Sequence, residues 1–200
     1  MPVGPRFLPR QREIYERVEA AHQAAVAKLA PGIPFREVHK AACRTLIEGL
    51  KDLGLMQGDT EEALEQGAHA LFFPCGTGHL MGLDVHDMES LGERWVGYDG
   101  EEKSRQFGLK SLRLAMPLRE GHVLTIEPGI YFIPGLISLW QEEGRHRDFI
   151  RYDRLESWTD FGGIRNEEDF LIVSGGARRL GPDFPKDIRS VETLRQEAFA

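Results

Sequence analysis

The sequence is poor in cysteine, in excess positive charge and in long apolar runs. Its two cysteines, Cys43 in a helical pattern and Cys75 in a glycine-rich segment, do not predict a disulfide framework. The net charge of −7, with no basic run, argues against a nucleic-acid partner. No apolar run is long enough to span a membrane, and the first residues lack the apolar region of a secretory signal, so we expect a cytoplasmic protein without membrane contact.

The periodicity predicts a mixture of helices and strands, which is an α+β fold. Residues 88–110 are irregular, polar and acidic, and form either a lid or a surface excursion. The tail has a weak helical pattern. Helices are predicted at residues 9–29 and 34–54 and after an N-cap at Thr60, and strands at residues 112–116, 123–131 and 170–173.

A segment rich in glycine and histidine, residues 72–87, is the first candidate site. Its glycines relax the backbone around His79, which could serve as a metal ligand or a base. His86 lies seven residues later, so in an extended chain the two imidazoles would point to opposite faces, unless a turn at Gly82 brings them together. The alternative is a glycine-rich loop around a hydrogen-bonded core histidine.

A lone carboxylate, Glu127, lies in the apolar segment 123–131, directly before Pro128-Gly129. Burial of an unpaired carboxylate is costly, so Glu127 needs a metal, an arginine or a raised pKa. The alternative is that the strand turns Glu127 to solvent.

Three acids, residues 167–169, precede the last predicted strand. Alternation places Glu167 and Asp169 on one face, with Arg165 beside Glu167, although such a patch can equally be solvated. Together His79, Glu127 and Glu167 offer nitrogen and oxygen ligands, which suit manganese, cobalt or zinc and metal-activated water. His22 and His39, on the first two helices, are interpreted as surface or packing histidines.

Three motifs carry a family resemblance: His79 to Asp87, Thr125 to Tyr131 and Gly163 to Asp169. In this order they resemble the M24 metallopeptidases of pita-bread fold, in the Xaa-Pro aminopeptidase and prolidase branch. The resemblance covers nearly the whole chain. It implies that residues 1–200 form a single, amino-terminally truncated catalytic domain of pita-bread (creatinase/aminopeptidase-like) fold, lacking its first strands.

The resemblance also implies hydrolysis of the peptide bond before proline by water activated between two metal ions. His79 would be a terminal ligand, Glu127 a ligand that also shuttles the proton, and Glu167 a carboxylate that bridges the ions. His86 would hydrogen-bond the substrate carbonyl or the oxyanion instead of a metal. Arg165 and Tyr131 would hold these groups in place.

Two departures from the family pattern bear on activity. Cys75 stands where relatives commonly have a histidine, so a contact to substrate is lost or replaced by a thiol. The family also has two aspartate ligands upstream of the first long helix, whereas the first aspartates here are Asp52 and Asp59, near the end of the second helix. We therefore expect at most one divalent ion in this chain alone, manganese first, with zinc or cobalt as alternatives.

The expected partners are a proline-containing peptide and another protein chain. Missing strands leave an unpaired sheet edge, which favours a homo-oligomer or a complementing chain. Two other functions stay open. One is a non-catalytic module that binds peptides or proteins, and the other is a mononuclear, oxygenase-type iron site built from His79, His86 and one glutamate.

Overall fold

The computed structural model describes residues 1–199, which form helices packed against two small antiparallel sheets. The helices are α1 (Pro9–Val26), α2 (Phe35–Asp52), α3 (Thr60–Gln66), α4 (Glu93–Val96), α5 (Pro134–Glu143) and α6 (Ile188–Glu197). The strands are β1 (Val123–Ile126), β2 (Gly129–Phe132), β3 (Gly162–Arg165), β4 (Glu168–Val173) and β5 (Gly176–Arg179). Single 3-10 turns cover Ala68–Leu71, Glu89–Leu91, Leu109–Ser111, Tyr152–Arg154 and Glu156–Trp158.

The two long helices, α1 and α2, pack on each other through the apolar stripes that the sequence predicts. Each buried valine, leucine or isoleucine contributes about 1.5–3 kcal/mol to the free energy of folding. α1 ends at Val26, three residues before the predicted end at Leu29, and the chain then turns at Pro31 and Gly32, where Gly32 has φ 84°. Fully or almost fully buried positions are Ile14, Val18, Ala21 and Ala25 on α1 and Val38, Ala42, Leu46 and Leu50 on α2.

The strand predicted at residues 123–131 is present, with one interruption. β1 pairs with β4, and β2 pairs with β3, both antiparallel. Ile126 faces Glu168 and Gly129 faces Arg165, so the register is the same on both sides of the break. The break falls at Pro128, which has no backbone N–H to donate to a ladder.

The strand predicted at residues 112–116 is wrong. The backbone amides of Ala115 and Met116 both donate to the carbonyl of Gly97, at 2.8 and 3.0 Å, and the Met116 carbonyl accepts from the first residue of α2. Leu112 and Leu114 are buried, so the apolar pattern of this segment reflects packing into the core and not a β-strand. No neighbouring strand pairs with this stretch among residues 1–199.

The N-cap predicted for α3 is off by one residue. The Asp59 carboxylate accepts a hydrogen bond from the Glu62 amide at 2.9 Å, whereas the Thr60 hydroxyl bonds to Lys51 and Glu48. Asp59 therefore satisfies a free amide of the first helical turn.

The region that the sequence leaves as irregular contains some helix. Residues 88–110 form α4 and two 3-10 turns, held to the core by Tyr98, whose hydroxyl donates to the Leu112 carbonyl at 2.7 Å. α5 is a helix that the sequence does not predict.

Within residues 1–199, no helix combines the length and the apolar character needed to cross a bilayer.

Candidate metal centre

The centre is built where three extended segments lie side by side. β1 has β4 on one side and residues 77–81 on the other. The Thr125 amide donates to the His79 carbonyl at 3.0 Å, and the Glu127 amide donates to the Thr77 carbonyl at 2.7 Å. His79 is therefore fixed beside the end of β1, where Glu127 follows.

Gly78 permits this close approach. A Cβ atom at this position would overlap the carbonyl oxygen of Thr125 and press on the ring of Phe35. The glycine ahead of His79 is therefore required by the space between the segment and β1.

Glu127 is buried, with 9% of its surface exposed, so it does not turn to solvent. Its Oε2 accepts a hydrogen bond from Arg165 Nη1 at 2.6 Å. Its Oε1 lies 3.3 Å from His79 Nε2 and accepts from the Thr125 hydroxyl at 3.2 Å. Arginine is one of the partners that the sequence requires for this carboxylate.

His79 directs a ring nitrogen at Glu127. Its Nδ1 lies 3.0 Å from the Leu80 carbonyl, which can only accept, so Nδ1 carries the proton and Nε2 faces the carboxylate. Nε2 and the carboxylate oxygen can be joined either by a proton or by a metal ion between them. Nitrogen and oxygen ligands bind zinc at about 2.0–2.2 Å, which places them about 3.3–3.6 Å apart in a tetrahedral site. The pair therefore fits a divalent metal by donor type and by spacing.

Glu167 lies across the strand pair from Glu127. Since Ile126 faces Glu168 and Gly129 faces Arg165, the shared register sets Glu127 opposite Glu167. Burial raises the pKa of Glu167, and the negative charge of Glu127 raises it further. Arg165 Nη1 lies 3.9 Å from the Glu167 carboxylate and so contacts both acids.

The ligand atoms of His79, Glu127 and Glu167 do not all lie within 4.8 Å of one another. Among residues 1–199, the only three metal-binding side chains whose ligand atoms all lie within 4.8 Å of one another are His39, Cys43 and His69. His79 and Glu127 are in contact, and Glu167 stands farther from that pair.

The two histidines of the glycine-rich segment converge, as a turn at Gly82 allows. The Asp87 amide donates to the Leu80 carbonyl at 3.1 Å and closes the turn. The ring centroids of His79 and His86 are 4.4 Å apart, and the two ring planes are nearly perpendicular. His86 Nδ1 lies 3.1 Å from the Glu89 carboxylate, which orients the half-exposed ring.

Tyr131 and Cys75 lie around Arg165. Arg165 Nε donates to the Tyr131 hydroxyl at 2.7 Å, so one guanidinium joins Tyr131 to Glu127. Burial raises the pKa of the half-buried Cys75 thiol, and the positive charge of Arg165 opposes that shift. Cys75 therefore lies within the electrostatic field of the centre.

Sequence reasoning missed Thr125, which hydrogen-bonds both the His79 amide and the Glu127 carboxylate. Alternation offered a signal, because Thr125 precedes Glu127 by two residues in a strand and shares its face.

The aspartates Asp52 and Asp59 do not join the centre. Asp52 ends α2, and Asp59 caps α3.

Comparison of the sequence and the fold with known proteins identifies the family. The model of metallopeptidase family M24 matches residues 1–174. The probable Xaa-Pro aminopeptidase pepP of Botryotinia fuckeliana is 36% identical over 197 residues, which is 98% of this chain and 41% of that protein. The Xaa-Pro dipeptidase of Homo sapiens is 32% identical over 191 residues, covering 96% of this chain and 37% of that protein.

Solved structures agree. Aminopeptidase PepP of Pseudomonas aeruginosa superposes with a TM-score of 0.72 at 30% identity, covering 100% of this chain and 37% of that chain. Zinc-substituted aminopeptidase P of E. coli, in complex with product, gives 0.74 at 29% identity, covering 99% and 37%.

The chain thus spans about two fifths of the length of these relatives. It has the pita-bread fold of the aminopeptidase P structures. From the order of its motifs, the family match and the structural likeness together, the chain belongs to the M24 metallopeptidases.

Proposed function

We propose that His79, Glu127 and Glu167 bind one divalent cation per chain, manganese first, and that the chain takes part in hydrolysis of the peptide bond before proline. The observation that carries the proposal is the buried 3.3 Å approach of His79 Nε2 to Glu127 Oε1. The Xaa-Pro peptidases among its relatives support the substrate class.

Each side chain has a distinct role in this proposal. When bound, the cation would supply Lewis acidity and a water of lowered pKa. Glu127 would be the proton acceptor of the centre, and Thr125 and Arg165 keep its carboxylate oriented. His86, held by Glu89, hydrogen-bonds the substrate carbonyl as negative charge develops on it.

Metal content tests the binding step. After equilibration with excess manganese and removal of the free ion, we expect one ion per chain in the wild type and none in Glu127→Gln. Asp84→Asn, in an exposed part of the same motif, is the matched control and keeps the ion. A wild-type chain without manganese would overturn the proposal, whereas two manganese ions that are both lost in Glu127→Gln would show that further ligands complete this centre.

His86→Ala separates this site from the mononuclear iron site. In the peptidase arrangement His86 contacts substrate, so His86→Ala keeps the metal and loses activity. If His86 were a ligand, the same substitution would remove the metal.

Turnover tests the reaction. We expect cleavage of an Xaa-Pro tripeptide that depends on added manganese and stops in Glu167→Ala, with the matching Xaa-Ala peptide left intact. Cleavage that continues in chelator or in Glu167→Ala would contradict the proposed chemistry.

The Arg165 contact favours a second candidate, a peptide-binding module without catalysis. Arg165 holds one oxygen of Glu127 at 2.6 Å, which neutralises that carboxylate without a metal. This module would bind Xaa-Pro peptides equally well with and without chelator and would show no turnover. Calorimetric titration with the tripeptide under both conditions distinguishes the two candidates.

A further inference from the structure

We propose that His39, Cys43 and His69 form a second metal site, of zinc type, separate from the carboxylate centre. His39 and Cys43 are four residues apart on α2 and so share one face of the helix. His69 approaches them from the 3-10 turn Ala68–Leu71. The ligand atoms of all three lie within 4.8 Å of one another, and all three residues are buried.

His69 supplies an independent reason to expect a ligand. The residue is only 2% exposed, and neither ring nitrogen has a hydrogen-bond partner within the part of the chain that the structure describes. A buried polar group without a partner destabilises the fold, because the hydrogen bonds to water that it loses are not replaced. A metal ion between the three side chains would remove this destabilisation.

His39 is held in the orientation that a ligand needs. Its Nδ1 lies 2.8 Å from the hydroxyl of Thr77, which is fully buried. With Nδ1 donating to that hydroxyl, Nε2 keeps its lone pair and lies 3.4 Å from the sulfur of Cys43. Metal-binding histidines are typically fixed in this way through the second ring nitrogen.

The donor set selects the metal. Two imidazoles and one thiolate suit zinc, and in tetrahedral geometry such ligand atoms lie about 3.3–3.6 Å apart. The Cys43–His39 separation already matches, so the site closes by moving His69 inward. As the zinc–sulfur bond forms, the Cys43 thiol releases its proton to solvent, with no change in oxidation state.

A path from the surface leads to the cluster. His39 and His69 line a cleft of about 430 Å³ whose wall also carries Glu61, Glu65 and Glu102. Arg36, Lys40 and Arg44 lie on the same wall, so the cleft gives access to the cluster without favouring one sign of charge. The cluster is linked to the carboxylate centre through Thr77, whose carbonyl accepts the Glu127 amide.

Cobalt tests the site without reference to activity. Co²⁺ bound to a thiolate gives a strong near-ultraviolet charge-transfer band, which nitrogen and oxygen ligands alone do not give. We expect the band in the wild type, in Cys75→Ser and in His79→Ala, and its loss in Cys43→Ser and His69→Gln. Zinc content should fall by one ion per chain in the last two variants.

The cysteine count makes the result decisive even if the core variants fail to fold. Cys43 and Cys75 are the only cysteines in the chain, so a band that persists in Cys75→Ser comes from Cys43. A wild-type chain without the band overturns the proposal. So does a band that disappears in Cys75→Ser and persists in Cys43→Ser.

Discussion

At the scale of single residues, Gly78 controls where His79 lies. The carbonyl of Thr125 occupies the space that a Cβ at residue 78 would need. We expect Gly78→Ala to lower the free energy of unfolding by about 2–4 kcal/mol and to displace His79 from Glu127. Urea unfolding measures the first effect and manganese affinity the second.

Gly135 is the matched control. No heavy atom lies within 4 Å of a Cβ at this position in α5, and its φ is not positive. Gly135→Ala should therefore leave stability unchanged or raise it by up to about 1 kcal/mol. Equal changes in unfolding free energy for Gly78→Ala and Gly135→Ala would show that the close contact with Thr125 does not determine the cost at residue 78.

His22 gives stability a dependence on pH. The residue is buried on α1 and faces Glu168, Lys186 and Arg179. Burial, followed by the positive charge of Lys186, lowers the pKa of His22 from 6.5 to about 4. The unfolded chain binds the proton more readily than the folded chain. The contribution of neutral His22 to the free energy of unfolding is therefore complete above about pH 6.5 and is lost as pH falls towards 4.

The loss from His22 should be roughly 2–3 kcal/mol. Urea unfolding of the wild type and of His22→Gln between pH 4 and 7 measures it, because other histidines contribute equally to both chains. The variant should lose less stability on acidification, and identical pH profiles would contradict this role for His22.

Single side chains were predictable where one local pattern determines their surroundings. The need of Glu127 for a positive partner follows from its apolar strand, and Arg165 meets it. The cluster of His39 with Cys43 and His69 was not predicted, since the sequence suggests only a packing role for His39. His69 is distant in sequence and reaches the cluster through the fold.

At the scale of elements, helix periodicity was a better guide than strand periodicity. α1 and α2 follow from long apolar stripes, which few other structures can bury. The pattern at residues 112–116 equally fits an irregular core segment, because a strand also requires a neighbour to pair with. α5 was missed, and it buries only Ile137 and Trp140.

Asp59 is expected to stabilise α3. Its carboxylate accepts the Glu62 amide, so Asp59→Ala should cost about 1 kcal/mol of unfolding free energy. Asp52→Ala, at the end of α2, is the control. Thermal unfolding measures the difference, and neither substitution should change the manganese content; a loss of manganese in either would make that aspartate a ligand.

At the scale of the whole molecule, the pairing of β3 predicts association. Within residues 1–199, β3 pairs only with β2, and most of its residues are exposed. A groove of about 590 Å³ lies beside it, lined in part by Phe7, Tyr15 and Ile164. Light scattering should show dimers or larger species that increase with protein concentration. A monomer throughout that range would contradict this expectation.

Three short motifs were enough to identify the fold family, while the arrangement of the sheets was not predicted. The strand order β1-β4-β5 depends on pairings between distant parts of the chain. A single sequence carries little information about which distant strands meet.

The shared register of the two strand pairs has a consequence for motion. Glu127 joins β1 to β2, and Glu167 joins β3 to β4, so both acids lie where the two small sheets meet. A cation bound between them would cross-link the sheets. Manganese should therefore slow amide hydrogen exchange in β2 and β4 together, on both sides of the junction, while the amides of α6 exchange at an unchanged rate.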